Sequence, residues 1–214
     1  MTVRIEVISD VVCPWCLIGK RRLERALELL RQASPQAEVE VIWRAFQLNP
    51  ELPLEGVERS EYLARKFGSR TQDIYARVTA VGRSVGIDFA FERIVRQPNT
   101  APAHQLIALA QAQGRQDQMV EALFRAYFLE GVDLTRTPNL LTLAGQAGLD
   151  RDEARTWLED DAQWQAVQAA DRQARALGVS GVPFFIFDQR LGVSGAQEPE
   201  VLLRALSEVE PSVA

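Results

Sequence analysis

Side chains that hold zinc are scarce in this chain, which has two cysteines and one histidine among its 214 residues. A structural zinc site uses four cysteine or histidine ligands, and these three residues cannot complete one. The composition therefore argues against a zinc finger or a zinc ribbon. We expect neither a metal ion nor an organic cofactor.

Basic residues are not in excess either, and long apolar runs are missing. The chain has 24 basic against 29 acidic residues, a net charge of −5, whereas a nucleic-acid-binding surface concentrates basic residues. No stretch approaches the about 20 apolar residues that span a bilayer. No basic leader followed by an apolar core is visible at the N-terminus, so no secretory signal is expected. We therefore expect a cytoplasmic globular protein whose partners are neither nucleic acids nor membranes.

The two cysteines lie together in the motif Cys13-Pro14-Trp15-Cys16, between a strand pattern and a helix pattern. Before the motif, residues 3–8 mostly alternate between apolar and polar side chains, which is typical of a strand. After it, leucines recur on one helical face. Proline is favoured at the first helical position, where no backbone donor is needed. The motif therefore predicts a helix that starts at Pro14, with Cys13 just before or in its first turn.

A thiol at a helix tip faces unpaired backbone amides and the positive end of the helix dipole, which favour thiolate over thiol. Cys13 is therefore the predicted nucleophile, and Cys16, one turn further in, is its resolving partner. The alternative is a pair of inert core thiols, because free cysteine often serves as a small apolar residue. The spacing of the pair and a compartment that keeps thiols reduced favour a redox pair.

The first part of the chain reads as strand, helix and strand. The second strand is predicted over residues 38–46, and two strands joined by one helix imply a parallel pair with a right-handed crossover. Strand patterns return only in the apolar segment 182–187 and at 192–195, before a closing helix that follows Pro199.

Residues 57–165 contain helical patterns and no convincing strand. One predicted helix begins after Pro102 and carries the only histidine, His104, and a wide apolar stripe over residues 119–128 predicts another. A helical insertion therefore interrupts an α/β domain. We divide the chain into an α/β domain of residues 1–48 and 166–214 and an inserted α-helical domain of residues 49–165.

The tripeptide Gly181-Val182-Pro183 opens the late apolar strand. Proline is tolerated at the head of a strand because its missing amide falls outside the ladder, and cis geometry is uncommon for such bonds. Combined with an upstream Cys-x-x-Cys pair, however, the tripeptide predicts a cis bond. This bond would turn the Val182 carbonyl and amide outward beside the reactive sulfur, where an extended substrate backbone can pair with them.

Five segments carry a resemblance to a known family, namely Ser9-Asp10-Val11-Val12-Cys13-Pro14-Trp15-Cys16, Phe46-Gln47-Leu48-Asn49-Pro50, Asn99-Thr100 with Ala103-His104, Gly181-Val182-Pro183-Phe184-Phe185 and Val193-Ser194-Gly195-Ala196-Gln197. Their order resembles the DsbA-like branch of the thioredoxin superfamily, and within it the FrnE-type dithiol oxidoreductases and isomerases. The resemblance implies an α/β thioredoxin-like fold with an inserted α-helical domain, thiol–disulfide exchange at the cysteine pair and a cis-proline beside it. The expected substrate contacts are Pro14, Trp15, Val182, Pro183, His104 and Asn99.

The implied substrates are protein or small-molecule disulfides and thiols, with glutathione or a thioredoxin-type protein as reductant and glutathione as a candidate co-substrate. Two departures from the family pattern bear on the redox potential. DsbA-type periplasmic oxidants commonly have histidine where this chain has Trp15, which offers no charged partner to a thiolate. Some FrnE-type proteins also have a second cysteine pair near the C-terminus, which this chain lacks. An intermediate potential, suited to isomerase or reductase activity, is therefore expected.

Two other functions stay open at this point. One is a glutathione-dependent isomerase or transferase of the 2-hydroxychromene-2-carboxylate or kappa type, in which a serine commonly occupies the reactive position. The other is a thioredoxin-like binding module whose cysteine pair is idle. Three side chains are open as well. His104 either contacts substrate or only packs and caps a helix, Asp10 either tunes proton transfer or is a solvated turn residue, and Trp43 either lines the groove or fills the core.

Overall fold

The computed structural model describes residues 2–209. Residue 1 and residues 210–214, which the division above assigns to the α/β domain, lie outside the described residues. The strands are β1 (Thr2–Ser9), β2 (Glu38–Ala45), β3 (Val57–Glu58), β4 (Arg96–Gln97), β5 (Phe184–Phe187) and β6 (Leu191–Ser194). The helices are α1 (Pro14–Ala33), α2 (Arg59–Phe67), α3 (Thr71–Ser84), α4 (Ala101–Ala112), α5 (Gln116–Arg125), α6 (Thr137–Gln146), α7 (Arg151–Glu159), α8 (Asp161–Ala176) and α9 (Pro199–Val209).

A four-stranded sheet in the order β2-β1-β5-β6 forms the frame of the molecule. Strands β1 and β2 are parallel over their full length, from Thr2 opposite Glu38 to Ser9 opposite Ala45. This register confirms the parallel pair predicted for the first part of the chain. Strand β5 then runs antiparallel to β1, and β6 runs antiparallel to β5. The carboxyl end of β1 leads directly into the cysteine motif.

The segment between the two halves of the sheet is helical, but the expectation that it contains no strand is wrong. Strands β3 and β4 pair antiparallel, with Val57 opposite Gln97. Two-residue strands are too short to show the alternation by which strands are recognised in a sequence. Gly56, at φ +65°, precedes the pair, and a Cβ there would lie 2.5 Å from the Gln97 carbonyl oxygen, so the approach requires glycine.

Two helices differ from their predicted bounds. The helix that carries His104 begins at Ala101, so Pro102 lies inside its first turn, where its missing N–H costs nothing. The apolar stripe predicted over residues 119–128 is divided, because α5 ends at Arg125 and a π-helical turn covers Ala126–Glu130. That turn buries Phe128 among aromatic rings. The predicted apolar face therefore continues to residue 128, although the helix changes type.

One apolar core joins the sheet to the helical insertion. It contains fully buried side chains from β1, α1 and β5 as well as from α4 and α5. At the junction, the ring of Trp43 on β2 packs edge-to-face against Phe124 on α5, with 6.3 Å between the centroids. The division at residues 48/49 and 165/166 stays a proposal about chain organisation. Within residues 2–209, no helix combines the length and apolar character needed to cross a bilayer.

Candidate active site

Cys13 lies at the tip of α1, as the motif predicts. It is the N-cap residue with φ −95° and ψ 111°, and Pro14 is the first helical residue. The backbone N–H of Cys13 donates to the Asp10 carbonyl (3.0 Å), and that of Cys16 donates to the Cys13 carbonyl (2.9 Å). The Cys13 side chain makes no capping bond to the helix, so its sulfur stays available for other partners.

The two thiols differ in exposure, and the pKa of the buried one is raised. Both are free cysteines, yet Cys13 keeps 5% of its surface exposed whereas Cys16 has 0%. Burial raises the pKa of the Cys16 thiol well above its ordinary value, and the hydrogen bond and charge of the neighbouring Cys13 sulfur raise it further. The Ser9 hydroxyl and the Asp10 backbone amide, which lower it, contribute less. Cys16 is therefore held as a neutral thiol, one helical turn beyond Cys13.

The Val182–Pro183 peptide bond is cis, as expected from the sequence. The Cys13 thiol donates to the Val182 carbonyl oxygen at 3.4 Å, so the two motifs meet although they are far apart in the chain. Gly19 on α1 allows this close packing. A Cβ at Gly19 would lie 3.0 Å from Pro183 Cγ and 3.2 Å from Phe185 Cζ, tighter than ordinary contact.

Trp15, between the two cysteines in the chain, is half-buried and has a cationic neighbour that the sequence patterns did not indicate. The Arg77 guanidinium, from α3, lies 6.0 Å from the centroid of the Trp15 ring. This distance suits a cation–π contact with the indole. No local signal identified Arg77, because its partner is more than sixty residues away in the sequence.

Asp10 and His104 lie close together in the interior. Asp10 is fully buried, so the interpretation of Asp10 as a solvated turn residue is wrong. Its Oδ2 accepts a hydrogen bond from the Leu48 N–H (2.7 Å), and its Oδ1 lies 3.4 Å from His104 Nε2. The same nitrogen lies 3.2 Å from the Phe46 carbonyl oxygen. The histidine of the insertion therefore contacts the loops that follow β1 and β2.

Asn99 is buried and holds the loop that follows β2. Its Oδ1 accepts from the Ala101 N–H (3.0 Å) and from Gln47 Nε2 (3.1 Å), and its Nδ2 donates to the Leu52 carbonyl (2.6 Å). Trp43 is buried as well, which favours the core role for its ring. Over the described part of the chain, no three His, Cys, Asp or Glu side chains are grouped as a metal site.

The unequal burial of the thiols gives a prediction for alkylation. Iodoacetamide reacts with thiolates, so we expect Cys13 of the reduced protein to be modified and Cys16 to be spared at about pH 8. Because the pKa of Cys16 is raised, its rate should keep climbing about tenfold per pH unit above pH 9. Peptide mass spectrometry after timed quenching measures both rates, and the protein unfolded in guanidinium is the control. Equal rates in the folded protein would contradict this assignment.

Three comparisons bear on this geometry. The family model described as "DSBA-like thioredoxin domain" matches residues 4–207. A probable DsbA oxidoreductase from Streptomyces coelicolor is 33% identical, with a TM-score of 0.86 over 99% of this chain and 92% of that chain. The uncharacterized protein YwbO of Bacillus subtilis (strain 168) is 27% identical over 97% of this chain and 98% of its own. A 2-hydroxychromene-2-carboxylate isomerase, 16% identical, shares the fold, with a TM-score of 0.72 over 96% of this chain and 95% of that chain.

Proposed function

This chain belongs to the DSBA-like thioredoxin domain family, with an α/β thioredoxin-like fold and a helical insertion, and from that premise we propose that it is a thiol–disulfide oxidoreductase. The proposal rests on one observation above all. Two free thiols lie at one helix tip, one in a residue with 5% of its surface exposed and the other fully buried with a raised pKa. That asymmetry suits a nucleophile and a resolving thiol.

The proposed cycle starts with the reduced pair. The Cys13 thiolate attacks one sulfur of a substrate disulfide, a mixed disulfide forms, and the other substrate sulfur leaves as a thiolate that takes a proton from water. Cys16 then loses its proton and attacks the Cys13 sulfur. The Cys13–Cys16 bond forms, the second substrate thiol leaves, and two protein thiols have been oxidised for one disulfide reduced. The reverse sequence oxidises a substrate dithiol.

The substrate groove is proposed to run past Pro14, Trp15, Val182 and Pro183. The Val182 carbonyl, which accepts from the Cys13 thiol in the free protein, is an acceptor for an extended substrate backbone. Arg77, exposed above Trp15, adds a positive charge to the rim of this groove. Substrate contact by His104 and Asn99 stays a prediction from the sequence, and the burial of both favours an indirect effect.

We place the protein among the FrnE-type members and in the cytoplasm, with protein or small-molecule disulfides as substrates and glutathione or a thioredoxin-type protein as reductant. The motif Cys13-Pro14-Trp15-Cys16 and the lack of a second cysteine pair support an intermediate potential. Redox pairs of this class span about −270 to −120 mV, which corresponds to about 7 kcal/mol. Small changes around one sulfur therefore decide between reductase, isomerase and oxidase activity.

The test is turnover by the wild-type protein. We expect it to accelerate the reduction of insulin disulfides by dithiothreitol and to equilibrate with a glutathione redox buffer at an intermediate potential. Turbidity of the released insulin chain measures the first, and mass analysis after acid quenching and alkylation measures the second. A rate equal to that of dithiothreitol alone, together with a pair that never oxidises, would overturn the proposed function.

A glutathione-dependent isomerase or transferase is the second candidate, and the shared fold of the isomerase supports it. That likeness shows the fold alone, and the intact cysteine pair speaks against this function. Conversion of a hydroxychromene carboxylate or conjugation of an electrophile by glutathione, measured by absorbance, distinguishes the two. We expect neither reaction above background, whereas insulin reduction proceeds.

A further inference from the structure

Helices α2 and α3 form a basic segment in an acidic protein. Residues 59–84 contain six basic and two acidic residues, whereas the whole chain has a net charge of −5. The ion pairs within residues 2–209 use other cations, such as Lys20, Arg21 and Arg44. None of those pairs includes the five basic residues of the segment that are exposed, namely Arg65, Lys66, Arg70, Arg77 and Arg83. The protein's own carboxylates therefore leave this charge unpaired.

Arg77 brings this charge to the cysteine motif. Helix α3 packs against α1, and the Arg77 guanidinium lies 6.0 Å from the centroid of the Trp15 ring. Cys13 is the N-cap of α1 and Trp15 is its second helical residue, so their Cα atoms are at most about 7 Å apart. The guanidinium is thus one indole ring away from the backbone that carries the nucleophile.

The N–H donors of Arg77 are free for a ligand. A guanidinium has five N–H donors in a planar fork, and this fork matches the two oxygens of a carboxylate. Contact with the face of an indole orients the guanidinium without using these donors in a hydrogen bond. Within residues 2–209 no hydrogen bond or ion pair engages them, although Asp73 lies one turn before Arg77 on α3. A carboxylate brought by a substrate is the group that suits them.

Arg70 extends the positive charge along the same side of α3. It is the N-cap of this helix, with φ −80° and ψ −3°, and it precedes Arg77 by seven residues. Two helical turns bring a residue back to within about 20° of the same side. Arg83, by contrast, follows Arg77 by six residues and lies about 120° away around the helix axis. It lines an open cleft there with Thr79 and Phe89.

We propose that Arg77 selects disulfides that have a carboxylate beside the reacting sulfur, and that Arg70 extends this selection to longer anionic substrates. The role rests on the proposed function, because thiol–disulfide exchange is what brings the substrate to Cys13. The substrate carboxylate pairs with the guanidinium as the disulfide approaches, whereas a cationic substrate is repelled. Arg77 is therefore a specificity-determining residue. A small-molecule disulfide or an acidic protein segment can supply the carboxylate.

The experiment measures oxidation of the reduced protein by three small disulfides of similar size and different charge. These are the dianion dithiodipropionate, the neutral hydroxyethyl disulfide and the dication cystamine. Each is reduced to two thiols while Cys13 and Cys16 are oxidised to one disulfide. Acid quenching and mass analysis give the second-order rate constants. Each is divided by the rate constant of the same disulfide with mercaptoethanol, which removes differences in intrinsic reactivity.

We expect the wild type to prefer the dianion over the dication at least about tenfold at low salt. Attraction or repulsion between two unit charges about 4 Å apart in water each changes a rate constant about fivefold. Arg77→Gln should reduce the preference to about twofold or less, and Arg77→Lys should retain most of it. Arg83→Gln removes the same charge from another side of α3, so it is the matched control and should keep the preference. Sodium chloride at about 0.5 M should weaken it in the wild type.

Two disulfide-linked peptides distinguish the sources of the carboxylate. One has glutamate on both sides of its cysteine, and the other has glutamine at these positions. A preference for the glutamate peptide that Arg77→Gln abolishes would support an acidic protein segment as the substrate. Equal rates with the two peptides, together with a preference for the dianion, would support a small-molecule disulfide.

Equal normalised rate constants for the three small disulfides in the wild type would overturn the selection by Arg77. A preference that Arg77→Gln retains would overturn it as well. So would a preference that Arg83→Gln loses to the same extent, because net charge alone then accounts for it. In these cases hydroxyethyl disulfide still oxidises the cysteine pair, and the proposed function stands. Failure of all three disulfides to oxidise the wild-type pair would instead overturn the proposed function, and the selection with it.

Discussion

Replacing Cys13 with serine is expected to reduce disulfide exchange to the uncatalysed rate, whereas replacing Cys16 with serine is expected to produce a protein that stays bound to its substrates. Cys13 is the thiol with exposed surface, and Cys16 has none, so only Cys13 can be attacked by or attack an external disulfide. Hydroxyl oxygen at position 13 is not a nucleophile toward disulfides near neutral pH. Serine is close in size to cysteine, so the fold should survive both changes.

The Cys16→Ser variant isolates the first half of the cycle. Without the Cys16 sulfur, the protein has no thiol that can attack the mixed disulfide on Cys13 and release the substrate. The mixed disulfide therefore accumulates toward one substrate per protein. Incubation with a cytosolic extract, followed by non-reducing electrophoresis and mass spectrometry of the bands that dithiothreitol releases, identifies the captured proteins. The double variant with serine at both positions is the matched control, because it keeps the groove and lacks both sulfurs.

The same pair of variants addresses the alternative of a binding module with an idle cysteine pair. A module binds through its surface, so the double serine variant would retain its partners and Cys16→Ser would capture nothing covalently. Loss of partners in the double variant and covalent capture by Cys16→Ser are the expected results. Capture through Cys16 in a Cys13→Ser variant would contradict the assignment of the nucleophile.

The parts of the site that were predictable from the sequence are those set by neighbouring residues. Pro14 fixes the start of α1, and the alternation of residues 3–8 fixes the strand before it, so the position of Cys13 at the helix tip follows from local rules. The cis bond before Pro183 was predictable because two motifs were considered together.

The parts that were not predictable depend on how distant elements pack. The contact of Asp10 with His104 joins the loop after β1 to a helix of the insertion, and Arg77 reaches Trp15 from another. Helical periodicity shows which face of α3 or α4 is apolar, but not which loop that face will meet. Burial of Asp10 was undecidable for the same reason, because a short polar residue after a strand fits a turn equally well.

Phe128→Ala is expected to lower the free energy of unfolding by about 3–5 kcal/mol, a large fraction of the 5–15 kcal/mol typical of folded proteins. Phe128 is fully buried, and its ring lies 5.0 Å from Tyr127 and 5.4 Å from Phe89, both edge-to-face. The ring centroid of Phe124 lies 6.3 Å from that of Phe128.

Truncation of Phe128 to alanine removes these ring contacts. It also leaves a cavity that the π-helical turn cannot close without moving its neighbours. Urea unfolding followed by circular dichroism measures the change, and Val95→Ala, at an exposed position, is the control.

The same variant tests whether the proposed domains unfold separately. Phe128 belongs to the insertion, but its neighbour Phe124 packs against Trp43 of the sheet, and the core on both sides is continuous. We therefore expect Cys16 to become accessible at the same urea concentration at which helical structure is lost. The rate at which Cys16 reacts with a thiol reagent measures this accessibility. A Phe128→Ala protein that loses helix first and exposes Cys16 only at higher urea would show that the insertion unfolds by itself. In that case the sheet and α1, rather than the shared core, would keep the Cys16 thiol buried.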